Sequence, residues 1–238
     1  MVLDICDITK GNLQHAYERL SKCGVKILVA TYFDSLRGNM DTAFRLPVDA
    51  IHIDLCRGAG QANTTFNKPD AILDEALSLA GDKALSIGVI DGRNIWRNDL
   101  SVTLAQLEKA VAKLGKDRVF VAPSCSLLHT PVDLAQETAL DAEAKSWMAF
   151  ATQKLDEIAA LAKGINAGRS AIAETLKASD EAQQNRRASK RLHNGAVAAR
   201  MSSITPDMKK RKSPFAQRQK QQHAALKLPK FPTTSIGS

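Results

Sequence analysis

Two short apolar segments separated by a helical pattern constrain the fold of this chain more than any other feature. Leu85–Ile90 and Val119–Ala122 carry no charge and lead directly into polar loops. Between them, Ser101–Leu114 repeats apolar residues at helical spacing and stops before Gly115, a residue type common at helix C-caps. Parallel strands need a crossover connection of this kind, so the order of strand, helix and strand predicts a parallel sheet.

The same alternation extends towards the amino terminus. Strands are predicted at Lys26–Phe33 and Val48–Cys56, and helices at residues 11–22 and Pro69–Ala80, where the proline suits a first helical turn. Four strand–helix units amount to half of a (β/α)8 barrel, a fold that takes about 250 residues when complete. We therefore predict an α/β fold: half of a (β/α)8 TIM-type barrel with four parallel strands and two open sheet edges.

Helices dominate the rest of the chain. A long helix is predicted over Leu140–Lys163 with Gly164 as its C-cap, followed by shorter helices over residues 171–178, 196–203 and Pro214–Leu226. The apolar stripe of the long helix, which would face the sheet, comprises Leu140, Ala144, Trp147, Ala151, Leu155, Ile158 and Ala162.

Charge divides the chain into a mildly acidic body and a basic extension. From Gly164 onward there are 15 lysines and arginines but only 4 aspartates and glutamates, a net charge of +11, against −3 for the remainder. Basic clusters suit phosphate backbones. However, Phe215 is the single aromatic residue between Gly164 and Lys230, so the sequence lacks platforms on which bases could stack. The pattern favours a solvated basic connector and no nucleic-acid partner.

Composition also predicts the compartment. No apolar run approaches the roughly 20 residues that a membrane span needs, and the amino terminus lacks the regions of a signal peptide. The four cysteines are widely spaced and form no Cys-x-x-Cys pair: Cys6, Cys23, Cys56 and Cys125. Such usage is typical of a reducing compartment. We therefore predict a cytoplasmic protein with no membrane partner.

Four segments resemble the N-terminal domain of cobalamin-independent methionine synthase: LPVDAIHIDLCRG, GVIDGRNIWRNDL, APSCSLLHTPVDL and LDAEAKSWMAFATQKLDEI. The resemblance is colinear from about Leu28 to Ser238. It implies a division into three parts. Residues 1–164 would be the C-terminal half of the family's N-terminal barrel, residues 165–230 a basic helical inter-domain linker, and residues 231–238 the start of the catalytic barrel.

The resemblance also implies an activity for the longer enzyme. The family transfers a methyl group from 5-methyltetrahydropteroyltri-L-glutamate to L-homocysteine in methionine biosynthesis. It uses no cobalamin; a zinc ion lowers the pKa of the homocysteine thiol. The full-length enzyme is expected to be a monomer. Because the family's zinc site lies in the catalytic barrel, this chain is expected to be a fragment that is inactive alone. The alternative is a non-catalytic interaction module, which would pair an open barrel edge with a partner chain or use its basic tail on an acidic surface.

Family positions suggest a substrate contact and a relic of a metal site. Ile236, Gly237 and Ser238 match positions that hold the amino-acid part of homocysteine or methionine. Against the zinc ligands of the related catalytic barrel, Thr31 and Phe33 replace a His-x-Cys pair, whereas Asp54 and Cys125 match a glutamate and a cysteine. Zinc prefers three or four N, S or O ligands in a tetrahedral array, and phenylalanine cannot ligate. We predict that these four side chains gather at the carboxyl end of the sheet and bind no metal.

Two further groups of polar residues are interpreted from their positions. Asp91, Arg93 and Asn94 follow a strand, where the active sites of barrels lie. They could contact an anionic substrate or, as we favour, form an ion-paired loop that fixes the rim. His52 shares a strand face with Asp54 and is expected to be a hydrogen-bonded core histidine rather than a metal ligand.

Overall fold

The computed structural model describes residues 5–56 and 69–233, which form two compact units. The first unit comprises residues 1–188 and the second residues 189–238. Within the described residues, no helix is both long enough and apolar enough to cross a membrane.

The first unit is built on a parallel sheet, as predicted. Its strands are β1 (Leu28–Ala30), β2 (Ala50–Asp54), β3 (Ala84–Ile90) and β4 (Val119–Pro123), and they pair in sequence order. Every pairing is parallel. The helices of this unit are α1 (Asp7–Leu20), α2 (Met40–Arg45), α3 (Pro69–Leu79), α4 (Leu100–Leu114), α5 (Ala142–Ser146), α6 (Ala151–Ala167) and α7 (Ala173–Ala188). The predicted α/β half-barrel is confirmed.

The two faces of the sheet differ in chemistry. Aligned residues on one face are apolar and contribute to the core with the helices: Val29, Ile51, Leu85 and Val119. The side chains one position further along each strand point to the opposite face. Those at the centre of this row are small or polar, and His52 lies beside Ser86. Strand residues alternate between faces, so the polar row is separated from the core by the thickness of the sheet.

The outer strands remain exposed. Leu28 on β1 and Phe120 on β4 are 45% and 49% exposed, whereas every residue of β2 is buried. Within residues 5–56 and 69–233, no further strand pairs with the outer side of β1 or β4. The open edges predicted for a half-barrel are therefore present in the described part of the chain.

The long helix begins later than predicted. The chain leaves the helical path after α5 because the segment Trp147–Phe150 pairs with the loop that follows β3. The amide of Arg97 donates to the carbonyl of Trp147, and the amide of Ala149 donates to the carbonyl of Ile95, both at 2.9 Å. These long-range hydrogen bonds replace the helical ones, so α6 starts only at Ala151.

The break changes which face of α6 is buried. Leu155, placed in the predicted apolar stripe, is 57% exposed, whereas Lys154 and Leu161 are buried. The prediction that Gly164 caps the helix is also wrong. Gly164 lies inside α6, where an added Cβ would come within 2.7 Å of Ile172 Cδ1 and 3.1 Å of Leu104 Cδ1. The cap is Gly168, whose φ of +88° suits glycine.

In its described residues, the second unit contains the α-helices α8 (Gly195–Ser202) and α9 (Phe215–Leu226). Neither helix has a buried residue. Asn194 is the N-cap of α8: its side-chain oxygen accepts hydrogen bonds from the amides of Ala196 and Val197 at 3.0 and 3.2 Å.

Candidate functional site

Polar loops follow β1, β3 and β4 and lie at one end of the sheet. Because the strands are parallel, their carboxyl ends lie at the same edge, which is where barrel proteins carry their sites. The loops after β1, β3 and β4 contribute Phe33, Arg93 and His129, and the ring of Phe33 contacts the side chains of the other two. This edge is the candidate site, and we call it the carboxyl-end rim.

His52 is fixed within the sheet by two hydrogen bonds. Its Nε2 lies 3.2 Å from the carbonyl oxygen of Ser124, and its Nδ1 lies 2.9 Å from the hydroxyl of Ser86. A carbonyl oxygen only accepts, so Nε2 carries the proton and the hydroxyl of Ser86 donates to Nδ1. Burial lowers the pKa of His52, which favours this neutral form. The structure thus agrees with the interpretation of His52 as a hydrogen-bonded core histidine.

Two glycines let the loop after β4 approach β3 closely. A Cβ on Gly88 would lie 2.7 Å from Ser124 Cα and 2.9 Å from the carbonyl oxygen of Ile53. A Cβ on Gly92 would lie 2.8 Å from the carbonyl oxygen of Cys125. The obstructing atoms belong to the backbone, so they cannot rotate away. The positions of Ser124 and Cys125 therefore depend on the absence of side chains at Gly88 and Gly92.

We expect Gly88→Ala to destabilise the protein by about 2–3 kcal/mol, because the added methyl group must displace backbone on two sides. Gly11→Ala is the matched control. Gly11 lies in the exposed α1 helix with nothing within 4 Å of an added Cβ, so alanine there should stabilise the helix by up to about 1 kcal/mol. Urea unfolding of both variants measures the difference; equal stabilities would contradict the close packing at Gly88.

The four residues matched to zinc ligands take up other contacts. Thr31 donates from its hydroxyl to the carbonyl oxygen of His52 at 2.5 Å, and Asp54 accepts from the amide of Cys56 at 2.9 Å. Phe33 presents a ring that cannot ligate. Among the described residues, no group of three or more histidine, cysteine, aspartate or glutamate side chains could hold a metal ion. The residues present therefore do not fit a zinc site.

The thiols near this position are poor ligands. Burial raises the pKa values of Cys56 and Cys125, and the carboxylates of Asp54 and Asp91 raise them further. Metal binding requires the thiolate, so both effects oppose it. Phe33, at the position of the second family ligand, is 39% exposed at the rim.

The loop after β3 is held by its own side chains. The carboxylate of Asp91 accepts from the amide of Arg93 at 2.8 Å and from the side-chain amide of Asn94 at 2.9 Å. The side-chain oxygen of Asn94 in turn accepts from the amide of Trp96 at 3.0 Å. Asp91 and Asn94 thus fix the rim, whereas the guanidinium of Arg93 turns towards Phe33.

Two buried charged side chains on α6 support this loop, and sequence reasoning missed them. Lys154 Nζ donates to the side-chain oxygen of Asn94 and the carbonyl oxygen of Trp96, both at 3.1 Å. Glu157, one helical turn further, accepts from the amide of Asn98 at 2.9 Å. Burial lowers the pKa of Lys154 and raises that of Glu157, while the attraction between them opposes both shifts. The signal that could have identified them in the sequence is the spacing of three residues between Lys154 and Glu157, which makes them neighbours on a helix.

The rim also contains a cluster of aromatic and cationic side chains. The ring centroid of Phe33 lies 4.8 Å from that of Tyr32 and 5.3 Å from that of His129, both in edge-on arrangements. The Arg93 guanidinium carbon lies 4.6 Å from the Phe33 centroid. The predicted substrate contacts Ile236, Gly237 and Ser238 lie outside the described residues.

A parallel α/β half-barrel with polar loops at the carboxyl ends of its strands defines the class of protein. Residues 1–115 match the sequence model of the family described as "Cobalamin-independent synthase, N-terminal domain". The whole chain is also similar to curated proteins named 5-methyltetrahydropteroyltriglutamate–homocysteine methyltransferase. It is 46% identical to those of Caulobacter vibrioides and Nitrobacter winogradskyi and 48% identical to that of Acidithiobacillus ferrooxidans.

These comparisons confirm the predicted resemblance to cobalamin-independent methionine synthase. The alignments cover all of this chain but only 29–30% of each relative. The chain therefore spans about 30% of the length of the curated relatives that it matches.

Proposed function

We propose that this chain supplies the carboxyl-terminal half of a non-catalytic barrel in an enzyme that transfers a methyl group from 5-methyltetrahydropteroyltri-L-glutamate to L-homocysteine. The observation that carries the proposal is the similarity over the full chain to proteins named for that reaction. The protein would act in the cytoplasm, in methionine biosynthesis, without cobalamin, and the full-length enzyme would be a monomer.

Within such an enzyme, the residues of this chain would position the substrate and would take no part in the chemical step. The thiols of Cys56 and Cys125 are held protonated by burial, and His52 is committed to two hydrogen bonds inside the sheet. In the longer protein a zinc ion would supply the means of lowering the homocysteine thiol pKa. The four matched positions in this chain do not suit that ion, so its ligands would belong to parts of the relatives that this chain does not span.

The carboxyl-end rim would form a wall of the space in which substrate binds. Asp91, Asn94 and Lys154 hold the loop after β3 in place, and this rigidity suits a surface that must keep its shape as ligand enters. By their family match, Ile236, Gly237 and Ser238 would contact the amino-acid part of homocysteine or methionine. Residues 165–230 would connect this half-barrel to the catalytic barrel beginning at residue 231.

A graft tests the proposal. The segment of the Caulobacter vibrioides relative that aligns with this chain is replaced by this chain, and methionine formation is measured. We expect the chimera to form methionine, whereas the same relative without the segment should not. The second candidate, an interaction module, is favoured by the exposed edge residues Leu28 and Phe120. An inactive but folded chimera would support the module and contradict the proposed function.

A further inference from the structure

The sheet of the first unit ends in two open edges whose strands run in the same direction. Within residues 5–56 and 69–233, β1 pairs only with β2, and β4 pairs only with β3. Because every pairing is parallel, the outer side of β1 can accept a parallel strand such as β4 from another molecule. Unpaired amides and carbonyls at a sheet edge readily bind a further strand. The two edges of one copy therefore suit the opposite edges of another.

The backbone groups that β1 leaves unpaired can be identified. The carbonyl of Ile27 and the amide of Thr31 are hydrogen-bonded to β2. Amides and carbonyls alternate between the two sides of a strand, so residues 27, 29 and 31 direct theirs towards β2. Those of Leu28 and Ala30 point to the open side, and both residues are exposed. The edge of β1 is thus free to pair over its whole length.

The face of the sheet that points away from the helices carries a cleft that reaches both edges. The cleft has a volume of about 370 Å³, and Leu28 of β1 and Phe120 of β4 both line it. The residues aligned with Leu28 on the two central strands are small, Ala50 and Ala84. Strands at opposite ends of a sheet line one cleft only where the sheet is curled, as it is in a barrel. A second curled sheet placed over this cleft would bury both exposed apolar side chains.

The charges at the amino ends of the two edge strands are complementary. Lys26 lies two residues before β1 and Asp117 two residues before β4, and both line the cleft. Among the described residues, neither side chain forms an ion pair. The cations that flank Asp117 are engaged within the chain, since Lys116 and Arg118 donate to backbone carbonyls. Parallel pairing of β4 with β1 of a second copy would bring the opposite charges of Asp117 and Lys26 together.

We propose that two copies of this chain close into one eight-stranded parallel barrel, in which β4 of each copy pairs with β1 of the other. A two-fold axis along the barrel forms both pairings at once, so no sheet edge is left open. Eight parallel strands is also the number at which barrels of alternating strands and helices close. The inference goes beyond the proposed function and does not rest on it, because it concerns only how two copies of the chain meet.

The test is sedimentation equilibrium of the whole chain, which gives the mass and the Kd of the dimer. We expect a dimer, and we expect Lys26→Glu and Asp117→Lys each to raise its Kd at least about tenfold, because each change sets like charges side by side. The double variant Lys26→Glu/Asp117→Lys restores opposite charges and should recover most of the affinity. This exchange is specific to the pairing of β1 with β4, since a dimer joined through two identical edges would not depend on both positions.

Leu28→Lys tests the burial of the cleft. Leu28 is exposed in a single copy but would lie inside the closed barrel, so a lysine there should raise the Kd at least about tenfold without unfolding the chain. Val102→Lys is the matched control. Val102 is 56% exposed on α4, away from both edges, and its replacement should leave the Kd unchanged. Thermal melts followed by circular dichroism show that each variant is folded.

Three results would overturn the inference. A chain that stays monomeric over the measured concentrations would show that the open edges require a partner other than a second copy. A dimer that is insensitive to changes at residues 26, 28 and 117 would be joined through another surface. Assemblies larger than the dimer would show that the two copies do not close. Each of these results is distinct from the outcome of the graft, which measures methionine formation.

Discussion

Lys154→Met is expected to destabilise the first unit by about 3 kcal/mol. Loss of Lys154 removes the attraction that this cation exerts on Glu157, one helical turn away; removing one member of a buried charged pair in close contact typically costs about 3–5 kcal/mol, and we expect the lower end of that range. Lys154 is only 1% exposed, and its loss also leaves the side-chain oxygen of Asn94 and the carbonyl oxygen of Trp96 without this donor. For a unit of this size, the melting temperature should fall by about 6–12 °C.

The double variant Lys154→Met/Glu157→Gln should recover part of this loss. The folded-state pKa of Glu157 is raised by burial, so the contribution of this group to stability is present below its unfolded pKa and is lost as the pH rises. Ionisation of Glu157 is therefore costly in the folded state, and more so without the attraction of Lys154. Replacing it with glutamine removes the charge, and we expect about 1–2 kcal/mol to return.

The dependence of stability on pH provides a second test of the interaction between Lys154 and Glu157. The lowered folded-state pKa of Lys154 means that its own contribution is present above the unfolded pKa and is lost as the pH falls through the folded value. In Lys154→Met, the remaining carboxyl group makes the variant relatively more stable in acid. Denaturation at pH 4 and pH 7 should therefore show a smaller deficit at pH 4.

Lys163→Met, a change of the same type at an exposed position of α6, is the control and should shift stability by less than about 0.5 kcal/mol. A Lys154→Met variant as stable as Lys163→Met would contradict the account of the pair. A double variant no more stable than the single one would show that Glu157 is not coupled to Lys154.

The parts of the fold that depend on local pattern could be predicted from the sequence. The α4 helix and its end at Gly115 follow from apolar spacing and a cap residue, and β3 is an uncharged apolar run. The break before α6 could not be predicted, because it arises from hydrogen bonds between Trp147 or Ala149 and a loop some 50 residues earlier. Because α6 starts later than the predicted helix, its buried face differs from the predicted one. The burial of Lys154 could therefore not be predicted.

The candidate site likewise has features that could be predicted from the sequence and features that could not. Parallel strands place polar loops at one edge, so the position of the rim follows from the order of strands and helices. The outward turn of Phe33 is a different matter. Its φ of +76° is unfavourable for the residue itself, so no local preference of the sequence could indicate it. The same is true of Arg93, which forms no ion pair within its own loop and instead stacks on a ring from another loop.

The isolated chain is expected to form no methionine. Its buried thiols are protonated, and its described residues contain no group that could hold the metal ion needed to activate homocysteine. Elemental analysis should accordingly find less than one zinc per chain, and Cys125→Ala should leave that amount unchanged. Zinc bound stoichiometrically and lost in Cys125→Ala would mean that the matched positions still form a metal site.

The central claim, that this half-barrel positions substrate but performs no chemistry, is tested most directly by a turnover assay. The purified chain is incubated with L-homocysteine, 5-methyltetrahydropteroyltri-L-glutamate and zinc, and methionine is quantified against a reaction without protein. The account predicts equal amounts in the two reactions. Methionine formed above the control, in proportion to the amount of chain added, would contradict it.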